Sequence, residues 1–181
     1  MVCINYFQLR LFLIEIQFFS GMIVSMVFLI ITFCIYAFIP ELRNLHGKCL
    51  MCYVIALTLL FGFLSTVQLD KTLFLVGSRY CTLIGYLLYY SVILSFIWLT
   101  IMCYDIYRTY KEGITAKYRG EESKIFSMYC IVGFCIPTFC TFILFFIDIT
   151  HIFHEKYLPK IGLKRCWIVN TRLIEAIYVY I

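Results

Sequence analysis

The sequence predicts an all-α protein, a multi-pass bundle of transmembrane helices. Of its 181 residues, 64% are hydrophobic and only 14% are charged, whereas a soluble domain usually carries about 25% charge. Four long apolar runs alternate with polar stretches, and each run reaches the length of about 20 residues that a helix needs to cross a bilayer. Because unpaired backbone groups are costly in lipid, such runs cross membranes as helices.

The four apolar runs define the predicted helices. They cover residues 17–39, 49–69, 80–104 and 125–147. None of them contains Asp, Glu, Lys, Arg or His, and each is followed by an acidic residue: Glu41, Asp70, Asp105 and Asp148. Pro137 lies inside the fourth run, where its missing N–H is tolerated if a neighbouring helix covers the kink. We therefore expect the helices to pack as a bundle.

A fifth apolar run, at residues 172–181, is expected to be the start of another helix. It is too short to cross a bilayer, so we interpret the chain as a fragment of a longer protein or the product of a truncated gene. Residues 1–16 lack the small-residue cleavage site of a signal peptide, and we interpret them as a lead-in to the first helix or a remnant of something upstream. The sequence contains no soluble domain.

The distribution of charge disfavours several classes of function. The net charge of +5 is spread over separate loops and forms no concentrated basic face for nucleic acid. Transporters and pumps normally place ionisable residues inside their spans, and these spans have none. No nucleophile with a matching base is evident near either end, so we expect neither an enzyme nor a cofactor.

Cysteine and histidine patterns do not predict a metal site. Most of the ten cysteines lie in apolar runs, where Cys behaves as a small hydrophobe. Cys49 and Cys52 have zinc spacing but lack a second pair or a His partner. His151 and His154 are three residues apart in the loop after the fourth run, without a further ligand set. We expect no bound metal.

Hydroxyl groups on the third run are candidates for packing or for a ligand pocket. Ser91 and Ser95 are four residues apart, which favours a small-residue seam between helices. Tyr86, Tyr89 and Tyr90 cluster near one end of the run. They could line a ligand pocket, but an interfacial belt of tyrosines is the interpretation that position alone favours.

Sidedness is not decided by charge. Seven Lys and Arg residues fall on one side of the four runs and eight on the other, so the positive-inside rule gives no orientation. Cys81 and Cys166 fall on the same side, at the water edge. They are either two free thiols or a disulfide formed in an oxidising compartment, and position leaves both open.

Three strings of the sequence resemble one receptor family. They are "PELRNLHGKCLMCYVIALTL" from Pro40, "SFIWLTIMCYDIYRTY" from Ser95 and "KRCWIVNTRLIEAIYVY" from Lys164. They resemble, in order, the first inner loop with helix two, helix three with its inner end, and the second outer loop with the start of helix five of the Methuselah-type receptors of insects. These receptors belong to the secretin/adhesion class of G-protein-coupled receptors, and the strings lie at the distances expected of that class.

The resemblance implies an architecture, an orientation and partners. The chain would be the first part of a seven-helix receptor in the plasma membrane, with its N-terminus outside and without the outer domain of the family. Cys81 and Cys166 would form the disulfide between helix three and the second outer loop. An extracellular ligand, such as a peptide, would shift the bundle between two states that a heterotrimeric G protein reads, with membrane lipids as further partners.

The resemblance also assigns candidate residues to each side of the membrane. The G-protein-facing candidates are Arg43, Asn44, His46, Lys48, Asp105, Tyr107 and Arg108. The basic members would also face anionic lipids of the inner leaflet, each contributing about 1 kcal/mol. The ligand-side candidates are Tyr86, Tyr89, Tyr90 and Trp167.

The sequence departs from the wider class at two places. The helix-four motif Gly-Trp-Gly-x-Pro is replaced by "GFCIP", with Phe134 and Cys135 at the Trp and second Gly positions. The polar pair of a helix-two His and a helix-three Glu aligns with Tyr53 and Met102. A mechanism that depends on that pair is therefore not expected at those two positions.

Two alternatives accompany the receptor interpretation. A four-helix membrane scaffold of the tetraspanin kind would have the same number of spans, but its large loop carries a Cys-Cys-Gly motif and further cysteines, whereas this loop has only Cys166. The second alternative is a truncated relative of the receptors that does not signal. A transporter or channel is disfavoured by the charge-free spans.

Overall fold

A computed structural model describes residues 2–73, 78–112, 122–150, 161, 166 and 167. It contains α1 (Val2–Phe38), a 3-10 turn (Pro40–Leu42), α2 (Leu45–Leu73), α3 (Arg79–Glu112) and α4 (Glu122–Thr150). All four α-helices contain segments long and apolar enough to cross a membrane, and the described ranges contain no strand. The predicted all-α, multi-pass fold is confirmed. The predicted fifth helix, at 172–181, lies outside the described residues, as do His151 and His154.

Each helix is longer than the apolar run that predicted it. The span within α1 is Ile16–Phe38, yet the helix begins at Val2. α3 continues eight residues past the end of its apolar run, to Glu112. Charge restricts what can lie in hydrocarbon but does not stop backbone hydrogen bonding, so the helices extend into the polar boundary regions.

Each helix packs against the next one in the chain, and α4 also approaches α2. α2 lies between α1 and α3, α3 also packs against α4, and α2 touches α4 more sparsely. One core cluster joins α2 and α3, and its buried members are Cys49, Ala56, Leu94, Trp98 and Ile101. A second cluster joins α3, α4 and the loop after α4, through Tyr89, Leu144 and Ile161. α3 therefore supplies side chains to both cores.

A compact turn fixes the connection from α1 to α2. Pro40 is the first residue of the 3-10 turn. Its ring fixes the backbone angle φ near the helical value, which suits a first helical position. The Asn44 side chain then accepts a hydrogen bond of 2.7 Å from the Gly47 N–H, which caps the start of α2. A side chain at Gly47 would collide with the Leu42 carbonyl, so this close approach requires glycine. We call this end of the bundle the turn end, and the opposite end, where Cys81 and Cys166 form a disulfide, the disulfide end.

Candidate functional site

A buried carboxylate links three helices at the turn end. Asp105 lies on α3 and is only 4% exposed. Its Oδ2 is 3.5 Å from Nδ1 of His46, on the first turn of α2. Its Oδ1 is 3.5 Å from the hydroxyl of Tyr129, on α4. We call these three residues the turn-end cluster.

The contacts within the turn-end cluster are long. Strong hydrogen bonds in proteins have heavy-atom separations of about 2.7–3.2 Å, and both contacts to Asp105 exceed this range. His46 Nδ1 makes no hydrogen bond to the described residues, so its 3.5 Å contact with Asp105 is a close approach of two polar groups and not a hydrogen bond.

Aromatic and basic side chains surround the turn-end cluster. Lys48 Nζ lies 5.7 Å from the centroid of the Phe126 ring, a cation–π contact between α2 and α4. Tyr104 meets Tyr129 edge to face, with 6.3 Å between ring centroids. Arg108 also interacts with the Tyr129 hydroxyl. Tyr129 is therefore the point at which the α3 and α4 side chains of this end converge.

The turn-end candidates named from sequence divide into two groups. Asn44 caps the start of α2, while His46 and Asp105 face each other across α2 and α3. Arg43 is exposed and Tyr107 is 60% exposed, so these two offer surface to a partner. Lys48 and Arg108 are half-buried, with the aromatic contacts described above.

A disulfide anchors the loop after α4 at the opposite end. It joins Cys81, in the first turn of α3, to Cys166, and both residues are buried. This is the pairing that the family resemblance implied. Ser78 accepts a hydrogen bond from the Cys81 N–H and so caps α3 just before the anchored residue.

A packed apolar contact holds the same loop at a second point. A side chain at Gly85 would collide with Ile161, and its Cβ would lie 3.3 Å from the Cys166 carbonyl oxygen. Ile161 is buried against Tyr89 and Leu144, and Trp167 packs against this group. The absence of a side chain at Gly85 thus lets Ile161 and Cys166 lie directly on α3.

A strong polar contact joins α3 to α4 beside this loop. The Tyr86 hydroxyl donates a 2.6 Å hydrogen bond to Oδ2 of Asp148, and such bonds to ionised acceptors are about twice as strong as neutral ones. The Tyr86 ring also meets Phe145 edge to face, at 5.6 Å between centroids. These contacts fix the spacing of the two helices at the disulfide end.

The ligand-side candidates named from sequence are mostly packing residues here. Tyr89 is 4% exposed, within the apolar group under the loop. Tyr86 and Trp167 are half-buried and pack at its edge. Tyr90 instead packs against the α2–α3 core. Ser91 and Ser95, the residues of the predicted seam, lie on the buried face of α3, and their hydroxyls bond carbonyls of their own helix.

A tryptophan fills the centre of the α3–α4 contact. Trp98 is 0% exposed, and its ring lies against Gly133, at which a Cβ would be only 2.9 Å from Cε2 and Cζ2 of the indole. Phe134 meets the indole edge to face, with 5.6 Å between centroids. The sequence "GFCIP" therefore packs its glycine against a large side chain that α3 supplies.

Several residues of the site were not identified from sequence. Tyr129, Asp148 and Trp98 carry the cross-helix contacts, but each lies in or beside an apolar run where aromatics and end charges are common. A signal was present for Asp148, since it ends the fourth run beside the loop that carries Cys166. Among the described residues no group of three His, Cys, Asp or Glu side chains could hold a metal ion.

Comparisons with known proteins cover most of the chain. Residues 11–181 match the family model described as "7 transmembrane receptor (Secretin family)". The chain is 29% identical over 161 residues to the Probable G-protein coupled receptor Mth-like 4 of Drosophila melanogaster, covering 88% of the chain and 30% of that protein. It is 32% identical over 166 residues to the G-protein coupled receptor Mth2 of Drosophila yakuba, with the same coverage.

A third relative shows the same extent of similarity. The G-protein coupled receptor Mth of Drosophila melanogaster is 27% identical over 160 residues, covering 88% of this chain. The chain thus spans about a third of the length of the curated relatives that it matches.

Proposed function

Because the chain belongs to the secretin family of seven-transmembrane receptors, we propose that it forms the first four helices of a G-protein-coupled receptor. The observation that carries this proposal is the family match over residues 11–181. The relatives that are named G-protein-coupled receptors support it. The receptor transmits an extracellular signal across the plasma membrane by rearranging helices, and the chain makes or breaks no bond.

The disulfide supports an orientation that charge could not provide. Disulfides form and persist in oxidising compartments, so the end with the Cys81–Cys166 bond faces the outside. α1 runs from that end to the turn end, so an N-terminus outside the cell is part of this proposal. The turn end then faces the cytoplasm, where Arg43 and Lys48 lie close to anionic lipid headgroups.

The turn end supplies part of the surface that a G protein reads. Arg43 and Tyr107 are exposed there, while His46, Asp105 and Tyr129 hold α2, α3 and α4 in one arrangement. Because the two contacts of Asp105 are long, small movements of α3 exchange them. A G protein that binds one arrangement better shifts the population toward it.

The disulfide end supplies the ligand side. The loop after α4 is held on α3 by the disulfide and by Ile161, so a ligand that displaces this loop acts directly on α3. α3 is 34 residues long, or about 51 Å at 1.5 Å per residue, and it carries both Cys81 and Asp105. It is therefore the element that connects the two ends, and a peptide is the ligand class that we propose.

The experiment measures G-protein activation by the full receptor that contains this chain. Basal activation of a panel of Gα subunits is followed by energy transfer in cells, with the wild type and Asp105→Ala at equal surface expression. We expect coupling to at least one Gα subunit, and a several-fold change in basal activation in the variant because the link between three helices is lost.

A matched control and a topology assay complete the test. Thr100→Ala alters an exposed α3 hydroxyl that, among the described residues, bonds the Phe96 carbonyl of its own helix, so its basal activation should equal that of the wild type. An N-terminal epitope should be accessible to antibody on intact cells. A receptor at the cell surface that activates no Gα subunit would refute signalling and leave the scaffold interpretation.

A further inference from the structure

The buried indole of Trp98 has an unpaired hydrogen-bond donor. The side chain is 0% exposed, and its Nε1–H makes no hydrogen bond to the described residues. Buried polar groups in proteins nearly always have a partner, because an unpaired donor has lost its contact with water. The donor lies in the apolar core that α2 and α3 form and against which α4 also packs, so its partner should come from one of these three helices.

The helix packed against the indole carries an unpaired acceptor. Pro137 lies inside α4 and has no N–H, so the carbonyl of Gly133, four residues earlier, lacks its donor within the helix. Thr138 donates instead to the Phe134 carbonyl, and Thr141 donates to the carbonyl of Pro137. The Gly133 carbonyl receives no side-chain hydrogen bond from the described residues.

The unpaired donor and the unpaired acceptor are neighbours. Nε1 of Trp98 lies 3.2 Å from the position that a Cβ on Gly133 would occupy. A Cβ and a carbonyl oxygen of one residue branch from the same Cα and its adjacent carbon, so the indole donor is already next to the Gly133 peptide. The lack of a side chain at Gly133 is what permits this approach.

The same stretch of α4 is built to bend. Prolines inside helices are the commonest cause of kinks, and Thr hydroxyls that bond the carbonyl four residues earlier also tend to bend a helix. α4 combines Pro137 with two such threonines, Thr138 and Thr141. A change in the kink angle moves the carbonyls just before Pro137 relative to α3, and the Gly133 carbonyl is among them.

We propose that α4 has a second packing arrangement on α3, in which the Trp98 indole N–H donates to the Gly133 carbonyl. In the arrangement described above both groups are unpaired, and bending at Pro137 joins them. The hydrogen bond thus holds α4 in its bent form and lets the α3–α4 contact alternate between two states. This inference concerns helix packing and does not depend on G-protein coupling.

The test uses the indole signals of the whole chain in lipid nanodiscs. The sequence contains only two tryptophans, so ¹⁵N-tryptophan labelling gives two indole N–H signals, and Trp167→Phe assigns them. We expect the wild type in lipid to populate mainly the bonded arrangement, so the Trp98 indole proton should be downfield and exchange slowly, whereas the arrangement described above would give the signal of a free N–H. Pro137→Ala restores an N–H donor for the Gly133 carbonyl, so the Trp98 signal should move upfield and exchange faster.

Controls separate this bond from other partners. Thr138→Ala leaves the Gly133 carbonyl without a helix donor, so the Trp98 signal should stay downfield. A wild-type signal that reports a free N–H would overturn the proposal. A bonded signal that Pro137→Ala leaves unchanged would also overturn it, because the acceptor would then be a water or another carbonyl.

A second measurement covers the case in which Pro137→Ala does not fold. Infrared spectra of the chain with ¹³C-labelled glycine carbonyls are compared between the wild type and Trp98→Phe, which keeps an aromatic ring against Gly133 and removes the donor. One glycine carbonyl band should shift to higher frequency. Unchanged glycine bands would contradict the proposal.

Discussion

Replacing Gly133 by alanine would place a methyl group between the α4 backbone and the Trp98 indole ring. The added Cβ would lie 2.9 Å from two indole carbons, closer than carbon atoms approach without repulsion. Trp98 is fully buried and meets Phe134 edge to face, so the ring cannot move aside into solvent or lipid. The helices α3 and α4 must therefore separate at this point.

The expected cost follows from two opposing terms. Forcing an extra group into a well-packed core costs about 1–3 kcal/mol. Replacing a glycine by alanine in a helix interior gains about 1 kcal/mol in helix propensity. The free energy of unfolding of Gly133→Ala should therefore fall by as much as about 2 kcal/mol, while the same change in open space should stabilise.

The chain offers matched controls for the propensity term. Gly21 in α1 has nothing within 4 Å of its would-be Cβ, and Gly62 in α2 has only the flexible end of Met26, at 3.9 Å. Thermal unfolding of the three alanine variants is measured in one detergent. At about 2–4 °C per kcal/mol for a chain of this size, the melting temperature of Gly133→Ala should lie about 2–12 °C below those of the controls.

One result would refute this reasoning. If Gly133→Ala melts together with Gly21→Ala, the indole does not fill the space at Gly133, and the α3–α4 contact described here is wrong. Trp98→Phe in the Gly133→Ala background gives an internal check, since a smaller ring should recover part of the lost stability.

Three further predictions concern the disulfide end. Cys166→Ser, with Cys81→Ser to remove the lone thiol, should lower the free energy of unfolding by about 2–4 kcal/mol, and thermal melts of the wild type with and without reductant should reproduce the difference. Gly85→Val should displace the loop from α3, so that dithiothreitol reduces the disulfide faster than in the wild type; an unchanged rate would contradict the Ile161 contact. Tyr86→Phe should cost about 1.5–3 kcal/mol, because it removes a hydrogen bond to a carboxylate, and the loss should vanish when that carboxylate is already replaced by alanine.

Within the described residues, the number and order of the helices could be predicted from sequence because charge marks where hydrocarbon ends. Their lengths could not, since α1 and α3 remain helical beyond residues that cannot enter lipid. The disulfide shows a similar limit. The positions of Cys81 and Cys166 leave two free thiols as an equal alternative, and only the resemblance to a family, not the spacing, favoured the bond.

The contacts between helices depend on rotation and register, which apolar runs do not reveal. Sequence alignment with the class placed its His–acid pair at Tyr53 and Met102, and both of these pack against the α2–α3 core. The structure places a His–acid contact nearer the turn end, between His46 and Asp105. Neither residue lies in an apolar run, so their pairing depends on helical segments whose extent the runs did not show. Tyr129 joins them from α4 and has no distinguishing pattern in the sequence.

The disulfide also constrains how the helices insert into the membrane during synthesis. Cys81 and Cys166 are separated by α3 and α4, and two cysteines meet in one compartment only if the segment between them crosses the membrane an even number of times. A chain in which one of these two helices fails to insert would leave its cysteines on opposite sides, with no route to the bond. Oxidation of this pair therefore reports whether α3 and α4 have both inserted. The fraction of newly made chains that migrate as oxidised on a non-reducing gel measures how often the two helices cross the membrane together.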